Sequence, residues 1–455
     1  MTDLSMRLAR QAWEDLGGGT AMPDTGLTFT GQGALPSAFA VTDVAAASVA
    51  CAGMAMGELL GGAEVTVDRR LASMWFAWSL RPIGWELPNP WDPTAGDYQA
   101  SDGWIKLHTN FPAHKRAVES VLGPLIDRTN TETLVAPWKV TALESAIVAA
   151  GGATAELRSQ AAWAEHPQGQ AIAAEPLADM KSFPPVEAWG WQPKGARPLA
   201  GLRVLDLTRV LAGPVATRFL AGYGAEVLRI DPIGWDESGI IPEVSLGKRC
   251  AALDLKTKQG LETLEGLIAQ ADVFLNGYRP HALDRLGFSA ERRRELQPDL
   301  VEVSLRAYGW TGPWAGRRGY DSLLQMSSGI ADTGRTWAGA DKPVSLPVQA
   351  LDHAAGYFLA AAAIRGVTQR RRGRGGSDWR LSLARTGKFI TDAGAAPQEP
   401  LLASETPDDL APHIEETGWG PAQRLKPPLT VDQYEWKWDR GAPKLGTSEA
   451  VWLQS

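Results

Sequence analysis

Asp352 stands near the start of an Ala-rich stretch, LDHAAGYFLAAAAIRG, whose small apolar residues predict a buried helix. A carboxylate in the first turn of a helix accepts backbone N–H groups and is favoured by the positive end of the helix dipole. The same geometry serves a simple cap and, where the helix end meets a partly dry cleft, an ionised carboxylate nucleophile. Spacing does not choose between them, and His353 beside it reads as an incidental first-turn residue rather than a base. A second set of chemistry-bearing residues is cationic: Lys248 and Arg249 before a predicted strand, Lys256 after it, Arg279 and Arg285 after the next, and Arg306 after a third. Cations recurring near strand ends are what a phosphorylated ligand requires, each contacting one anionic oxygen; any one of them alone reads more readily as solvated surface charge, and it is the set together that points to a ligand. No His/Cys/Asp cluster has metal-ligand spacing, and neither a G-x-S-x-G elbow nor a P-loop is present. The metal expectation is therefore none.

These residues need a scaffold, and the chain from Gly201 supplies its pattern. LRVLDL, EVLRID, AALDL, VFLN from Val273 and LVEVSL from Leu300 are apolar strand-like runs, and WRLSLAR follows the Asp352 helix. Between them lie helical stretches at Gly213–Gly222, at Leu261, Leu264, Leu267 and Ile268, and at Pro280–Leu286. Continuous apolar strands alternating with helices predict an α/β fold with a doubly wound parallel sheet. In such sheets ligands bind beyond the carboxyl ends of the strands, where the strand order reverses. The first strand-to-helix turn, DLTRVLAGP, lacks the G-x-G-x-x-G triplet, so Asp231 after the second strand is weak support for a nicotinamide dehydrogenase.

The chain has 455 residues and a mass of 48.8 kDa, enough for two or three domains. With 44% hydrophobic and 21% charged residues it is an ordinary globular composition, which excludes collagen-like, coiled-coil and disordered chains. A net charge of −7 gives no electrostatic footprint for nucleic acid or an anionic membrane. Two cysteines, Cys51 and Cys250, make neither a disulfide framework nor a zinc motif and point to a reducing, cytoplasmic compartment. The N-terminal residues carry charges where an export signal needs an apolar core, and the longest apolar run, Val44–Gly57, is about 14 residues, short of a bilayer span. The 19 Trp, many beside Pro or Gly, read mostly as packing in loop-rich regions, with a smaller share lining a ligand cleft. Five zones follow. Residues 1–85 form a partial duplicate of the Asp352 helical segment, because LPSAFAVTDVAAASVACAGMAMG and EVTVDRR echo LPVQALDHAAGYFLAAAAIRG and WRLSLAR, with Asp43 in the place of Asp352. Residues 86–165 form a small α+β domain, the Pro-rich 166–199 a linker, 200–390 the doubly wound domain, and 391–455 an extended C-terminal tail returning to it.

The motifs GLRVLDLTRVLAGPVATRFLAGYGAEVLRID, GKRCAALDLKT, ADVFLNGYRPHALDRLGF, VSLRAYGWTGP, GYDSLLQMSSGIA and ALDHAAGYF resemble, in order, those of the class III CoA-transferases, a family that includes formyl-CoA and carnitine CoA-transferases and the α-methylacyl-CoA racemases. DYQASDGWIKLHTNFPAHKRAVESVLG resembles the start of the family's small domain, here placed ahead of the α/β unit, and PKLGTSEAV resembles its closing motif. The resemblance implies a CoA-transferase that moves CoA from an acyl-CoA to a carboxylic acid through aspartyl anhydride and aspartyl-CoA intermediates, with Asp352 as nucleophile. It implies coenzyme A as a substrate moiety with no permanently bound cofactor. The CoA contacts it implies are Lys248 and Arg249 near the phosphates, Leu253 to Lys256 around the adenine, Tyr278 and Arg285 after the fourth strand, and Arg306. Leu211 stands where formyl-CoA transferase has Gln, which disfavours oxalate-like substrates. The racemase branch places a His in a G-H-D motif; here it reads Gly319, Tyr320, Asp321, and a phenol with an ordinary pKa of about 10 is a poor base. A racemase and a catalytically silent CoA-binding protein are the alternatives. Family members form interlocked dimers, so a homodimer or an internal pseudo-dimer is expected, without nucleic-acid or membrane partners.

Overall fold

All six segments expected as parallel strands lie side by side in one seven-stranded sheet. The computed structural model describes residues 2–19, 26–185, 189–237 and 239–453. Its central sheet runs, edge to edge, Arg249–Leu253, Glu226–Pro232, Arg203–Leu207, Val273–Asn276, Val301–Arg306, Ser377–Ser382 and Ala178–Ser182. The first six are mutually parallel and the last is antiparallel to its neighbour. Strand order therefore reverses between Arg203–Leu207 and Val273–Asn276, which places a crevice at their carboxyl ends. The fold is α/β and doubly wound. Helices Ala212–Gly222 and Ala350–Arg371 pack together in one continuous core, while Lys258–Ile268 contributes Leu264, Leu267 and Ile268 to a second cluster that includes Leu205, Leu228 and Phe274.

Several segments depart from the sequence expectation. The stretch 166–199 does not act as a plain linker: Pro167–Ala174 is a helix and Ala178–Ser182 closes the sheet edge. Its prolines fall where no N–H is needed, Pro167 in the first helical turn and Pro184 beyond the edge strand, so they punctuate the elements without breaking them; residues 186–188 lie outside the described residues. The helix expected over Pro280–Leu286 is reduced to a 3₁₀ turn, Asp284–Leu286, because His281 takes a left-handed backbone (φ 59°) and Gly287 ends the turn in the same region. The tail, expected to be extended, contains three short strands. Gly420–Arg424 pairs with Glu415–Thr417 and with Leu80–Pro82, and Leu429–Val431 pairs with Val65–Val67. Its end returns to the sheet, where Ser448 N–H donates to Cys250 O and Trp452 packs near Leu267.

The first 85 residues and the Asp352 segment repeat one order of elements. In the first, strand Leu27–Thr30 is parallel to Val65–Asp68, with the buried helix Val41–Leu59 between them and Arg69–Ala77 after. In the second, Val301–Arg306 is parallel to Ser377–Ser382, with the short inserted helices Asp321–Ser327 and Ile330–Ala338 and then Ala350–Arg371 between, and Leu383–Ala393 after. The last strand residue caps the following helix in both: Asp68 accepts from Leu71 N–H and Ser382 from Arg385 N–H. The two long helices pack against each other more extensively than any other pair of elements. Strands Gly96–Gln99, Trp104–Leu107 and Thr154–Glu156 with the helices Pro112–Leu122, Arg128–Val135 and Val140–Ala149 form a small unit with its own core of Tyr98, Ile105, Val118, Leu143 and Ile147. Both cysteines are free and buried, and burial pushes the Cys51 thiol up to about 12.

Candidate active site

In a parallel sheet with right-handed crossovers, each helix begins at the carboxyl edge of the strand before it. The Ala350–Arg371 helix follows Val301–Arg306 and precedes Ser377–Ser382, so Asp352, its third residue, sits on the same edge as the crevice. Asp352 lines a cavity of about 330 Å³ together with Val210, from the turn after Arg203–Leu207, and with Phe76, Trp78, Trp91 and His108 from the first 110 residues. The cavity is thus assembled from both halves of the chain. Val210 adopts φ 62°, a left-handed conformation costly for a β-branched side chain, and its N–H is held by Glu237 Oε1 at 3.0 Å. That bond turns the backbone of the first strand-to-helix loop toward the cavity.

Asp321 supplies the support for Asp352. Its Oδ2 accepts the N–H of both Leu351 (2.9 Å) and Asp352 (3.0 Å), and its Oδ1 accepts from Gln325 Nε2 at 2.5 Å. The Asp352 helix is therefore capped from a different helix, Asp321–Ser327, since Gln349 at its own N-cap position makes no side-chain cap bond. Burial, and then the neighbouring Asp321, holds the Asp352 carboxyl well above the usual carboxylate range; burial raises Asp321 to about 6 against the lowering effect of Gln325 and the two N–H groups. Tyr320 stacks on the imidazole of His108 with ring centroids 3.8 Å apart. Burial raises the Tyr320 phenol and, helped by His114, lowers His108 to about 3, so both rings are neutral near pH 7. His353 is fully buried against Phe76 and faces away from a base's role, with burial lowering it to about 3.

Asp43, the counterpart of Asp352, is held differently. It also occupies the third position of its helix, yet Ser5 Oγ donates to it at 2.6 Å and Arg69 pairs with it at 2.9 Å while also contacting Glu399 at 3.1 Å. Its carboxylate is spent in a buried ion-pair network.

The predicted CoA contacts divide by strand end. Leu253 ends Arg249–Leu253, Lys256 follows it and is exposed, Tyr278 and exposed Arg285 follow Val273–Asn276, and Arg306 ends Val301–Arg306 with its guanidinium 3.9 Å from the Trp310 ring centroid. All five lie at the carboxyl edge. Lys248 and Arg249 do not: they begin their strand, at the opposite end. Lys248 is fully buried, its Nζ donating to Asp206 (3.1 Å), Thr217 Oγ1 (2.5 Å) and Pro214 O (2.9 Å), with burial lowering its pKa to about 8. Arg249 donates to Val451 O (2.5 Å) and Glu449 O (3.0 Å) and pairs with Glu226 at 3.3 Å, anchoring the tail. Neither presents a donor to a phosphate. Arg209, not singled out from the sequence, occupies the crevice instead, donating to Tyr278 Oη at 2.7 Å and lying 4.7 Å over the Trp235 ring. Its position after the first strand was the available signal. Among the described residues no group of three or more His, Cys, Asp or Glu could hold a metal, and no helix is long and apolar enough to cross a membrane.

Residues 199–409 match the family model described as CoA-transferase family III. Over this stretch the chain is similar to the family III CoA-transferases. The matched stretch carries the whole central sheet except its antiparallel edge, and Asp352 with it. The chain is 35% identical over 193 residues to the succinyl-CoA:glutarate CoA-transferase of Mus musculus, covering 39% of this chain and 44% of that protein. It is 33% identical over 191 residues to a probable fatty acyl-CoA transferase of Mycobacterium tuberculosis, covering 39% and 48%. It therefore spans about half the length of the curated relatives it matches. The crystal structure of a hypothetical protein from Mycobacterium tuberculosis aligns with a TM-score of 0.40 at 29% identity, over 44% of this chain and 58% of that one.

Proposed function

We propose that the protein is an acyl-CoA:carboxylate CoA-transferase with Asp352 as its covalent nucleophile. The observation that carries this reading is a buried carboxylate at a helix start, opening into a cavity beside the carboxyl-edge crevice of the stretch that matches family III. In the reaction the Asp352 carboxylate attacks the thioester carbon of a bound acyl-CoA; the C–S bond breaks and its electron pair leaves on the CoA sulfur. The thiolate then attacks the aspartyl carbonyl of the anhydride, releasing the acyl group as a carboxylate and forming an aspartyl-CoA thioester. An incoming carboxylate displaces CoA to give a second anhydride, and the thiolate attacks the acceptor's acyl carbon, freeing Asp352. Burial leaves Tyr320 holding its phenol proton and lowers His108 to about 3, which makes both poor proton acceptors and supports transfer over racemisation, which needs a base opposite the α-carbon. A site lined from both halves of one chain supports an internal pseudo-dimer, in which residues 1–85 are a disarmed copy. The test is incubation with a panel of acyl-CoAs and hydroxylamine: a protein-bound hydroxamate mapping to the Asp352 peptide is expected, and its absence with every donor, despite CoA binding, would overturn the reading.

Three further outcomes are expected. CoA affinity measured by calorimetry falls about tenfold in Arg285→Ala, the loss of one charge-assisted phosphate contact, whereas Lys248→Met lowers stability because it strands buried Asp206. Asp321→Asn keeps an oxygen that can accept the Leu351 and Asp352 N–H groups but removes the negative charge that raises Asp352. Asp352 then ionises at lower pH, so the acid limb of kcat/KM moves toward acid by about 1 unit; an unmoved limb would show that the two carboxyl groups are not coupled.

A further inference from the structure

We infer that the acyl and acid substrates of this site are monocarboxylic, with a compact apolar body and no second charge. The inference rests on the CoA-transferase reading and deepens it. The cavity beside Asp352 has walls of Phe76, Trp78, Trp91, Val210, Tyr320 and Val348. Among the described residues that line it there is no Lys or Arg. The charges it does hold are acidic: Asp352, the nucleophile, and Asp321, already occupied by two backbone N–H groups and Gln325. A distal carboxylate on the substrate would lose much of its hydration against the aromatic faces, find neutral donors such as Asn110, Ser322 and Gln349 but no cation in the lining, and lie beside two acidic side chains; Arg279 and Arg318, which act on the Tyr320 wall, are not among the lining residues. His108 does not compensate, because its stacked and buried imidazole stays neutral. The reacting carboxylate of the acceptor meets a smaller penalty, since Asp352 carries no charge in the aspartyl-CoA thioester and the acceptor's own charge is consumed as the anhydride forms.

Size sets the second limit. The cavity of about 330 Å³ holds roughly ten water-sized units at about 30 Å³ each. That accommodates a branched, medium-length or phenyl acyl body within the walls, whereas a long unbranched chain would project past the mouth at Ala77 and leave its apolar end in water.

The experiment compares rates of protein hydroxamate formation from isobutyryl-, hexanoyl- and benzoyl-CoA with those from succinyl-, glutaryl- and palmitoyl-CoA. The first three are expected to exceed the last three by at least tenfold. Ala77 is exposed at the cavity mouth, so Ala77→Arg should fold normally, as a thermal melt would verify, and it should raise the succinyl-to-isobutyryl ratio by about tenfold through a new cation. Equal or faster labelling by succinyl- or glutaryl-CoA would overturn the charge argument, and preference for palmitoyl-CoA would overturn the size argument; in both cases Asp352 labelling would leave the transferase reading standing. No hydroxamate from any donor would remove both.

Discussion

Asp352→Asn is expected to eliminate the hydroxamate and to lower turnover by on the order of 10⁴-fold or more, the scale on which loss of a covalent nucleophile is felt. The substitution is nearly isosteric and leaves the backbone N–H of residue 352 free to donate to Asp321 as before. CoA affinity should stay within about twofold, because the cations proposed to bind the phosphates are not among the residues lining the cavity. Stability should hold or rise, since burial of Asp352 beside Asp321 disfavours its charge and the amide removes that conflict. Asp43→Asn is the matched control. The same chemical change in the other copy should leave hydroxamate formation intact and cost stability instead, because Arg69, buried at 2% side-chain exposure, loses one of its two carboxylate partners. Turnover surviving in Asp352→Asn at more than a few per cent of wild type would rule out the anhydride route.

The contrast between these two aspartates marks what the chain discloses and what it withholds. Both helices are readable from their Ala-rich, small-residue pattern, and the order of the strands follows from the alternation of apolar runs with helices. The difference in role is not readable, because it depends on Ser5, Arg69 and Glu399 meeting at Asp43 and on Asp321 meeting the Asp352 backbone, contacts made across tens to hundreds of residues. The cations show the same limit. Lys256, Arg285 and Arg306 follow strands, and Lys248 and Arg249 precede one; the ligand edge of a parallel sheet is its carboxyl edge, so residue order around a strand separates the two groups once position is weighed against charge. The cavity walls are the least legible part. Phe76, Trp78, Trp91 and His108 arrive from a region whose own motifs signalled a degenerate copy and a small domain, and only tertiary packing carries them to Asp352. Their signal was the density of Trp near Pro and Gly, which marks rigid aromatic loops without saying what they enclose.

Glu243→Gln should produce the largest loss of stability of any single substitution proposed for this chain. Glu243 is fully buried and joins three distant parts of the sequence: Ser79 Oγ donates to Oε1 at 2.6 Å, the N–H groups of Ser79 and Leu80 donate to Oε2 at 3.1 Å each, Arg218 on the Ala212–Gly222 helix pairs with it, and Arg424 on a tail strand pairs with it at 3.3 Å. The N-terminal copy, the α/β unit and the tail thus converge on one carboxylate. Among the described residues Glu243 is the only acid paired with Arg218, so the amide removes that pairing and leaves Arg424 paired with Glu415. Removing one partner of a buried pair costs about 3–5 kcal/mol, a large share of the roughly 5–15 kcal/mol that holds a typical domain. The pH dependence separates this from a packing defect. Burial acts to raise the Glu243 pKa, but Arg218, Arg424 and Ser79 outweigh it and the net shift is downward from 4.5. In the interval below 4.5 the unfolded chain binds more protons than the folded one, so stability rises with pH there and is constant above it. The gap between wild type and Glu243→Gln, read as the midpoint of urea unfolding, should therefore be widest and flat from pH 6 to 8 and close as pH falls below about 4.5. A gap that persists undiminished at acid pH would mean that shape, not charge, is what residue 243 contributes.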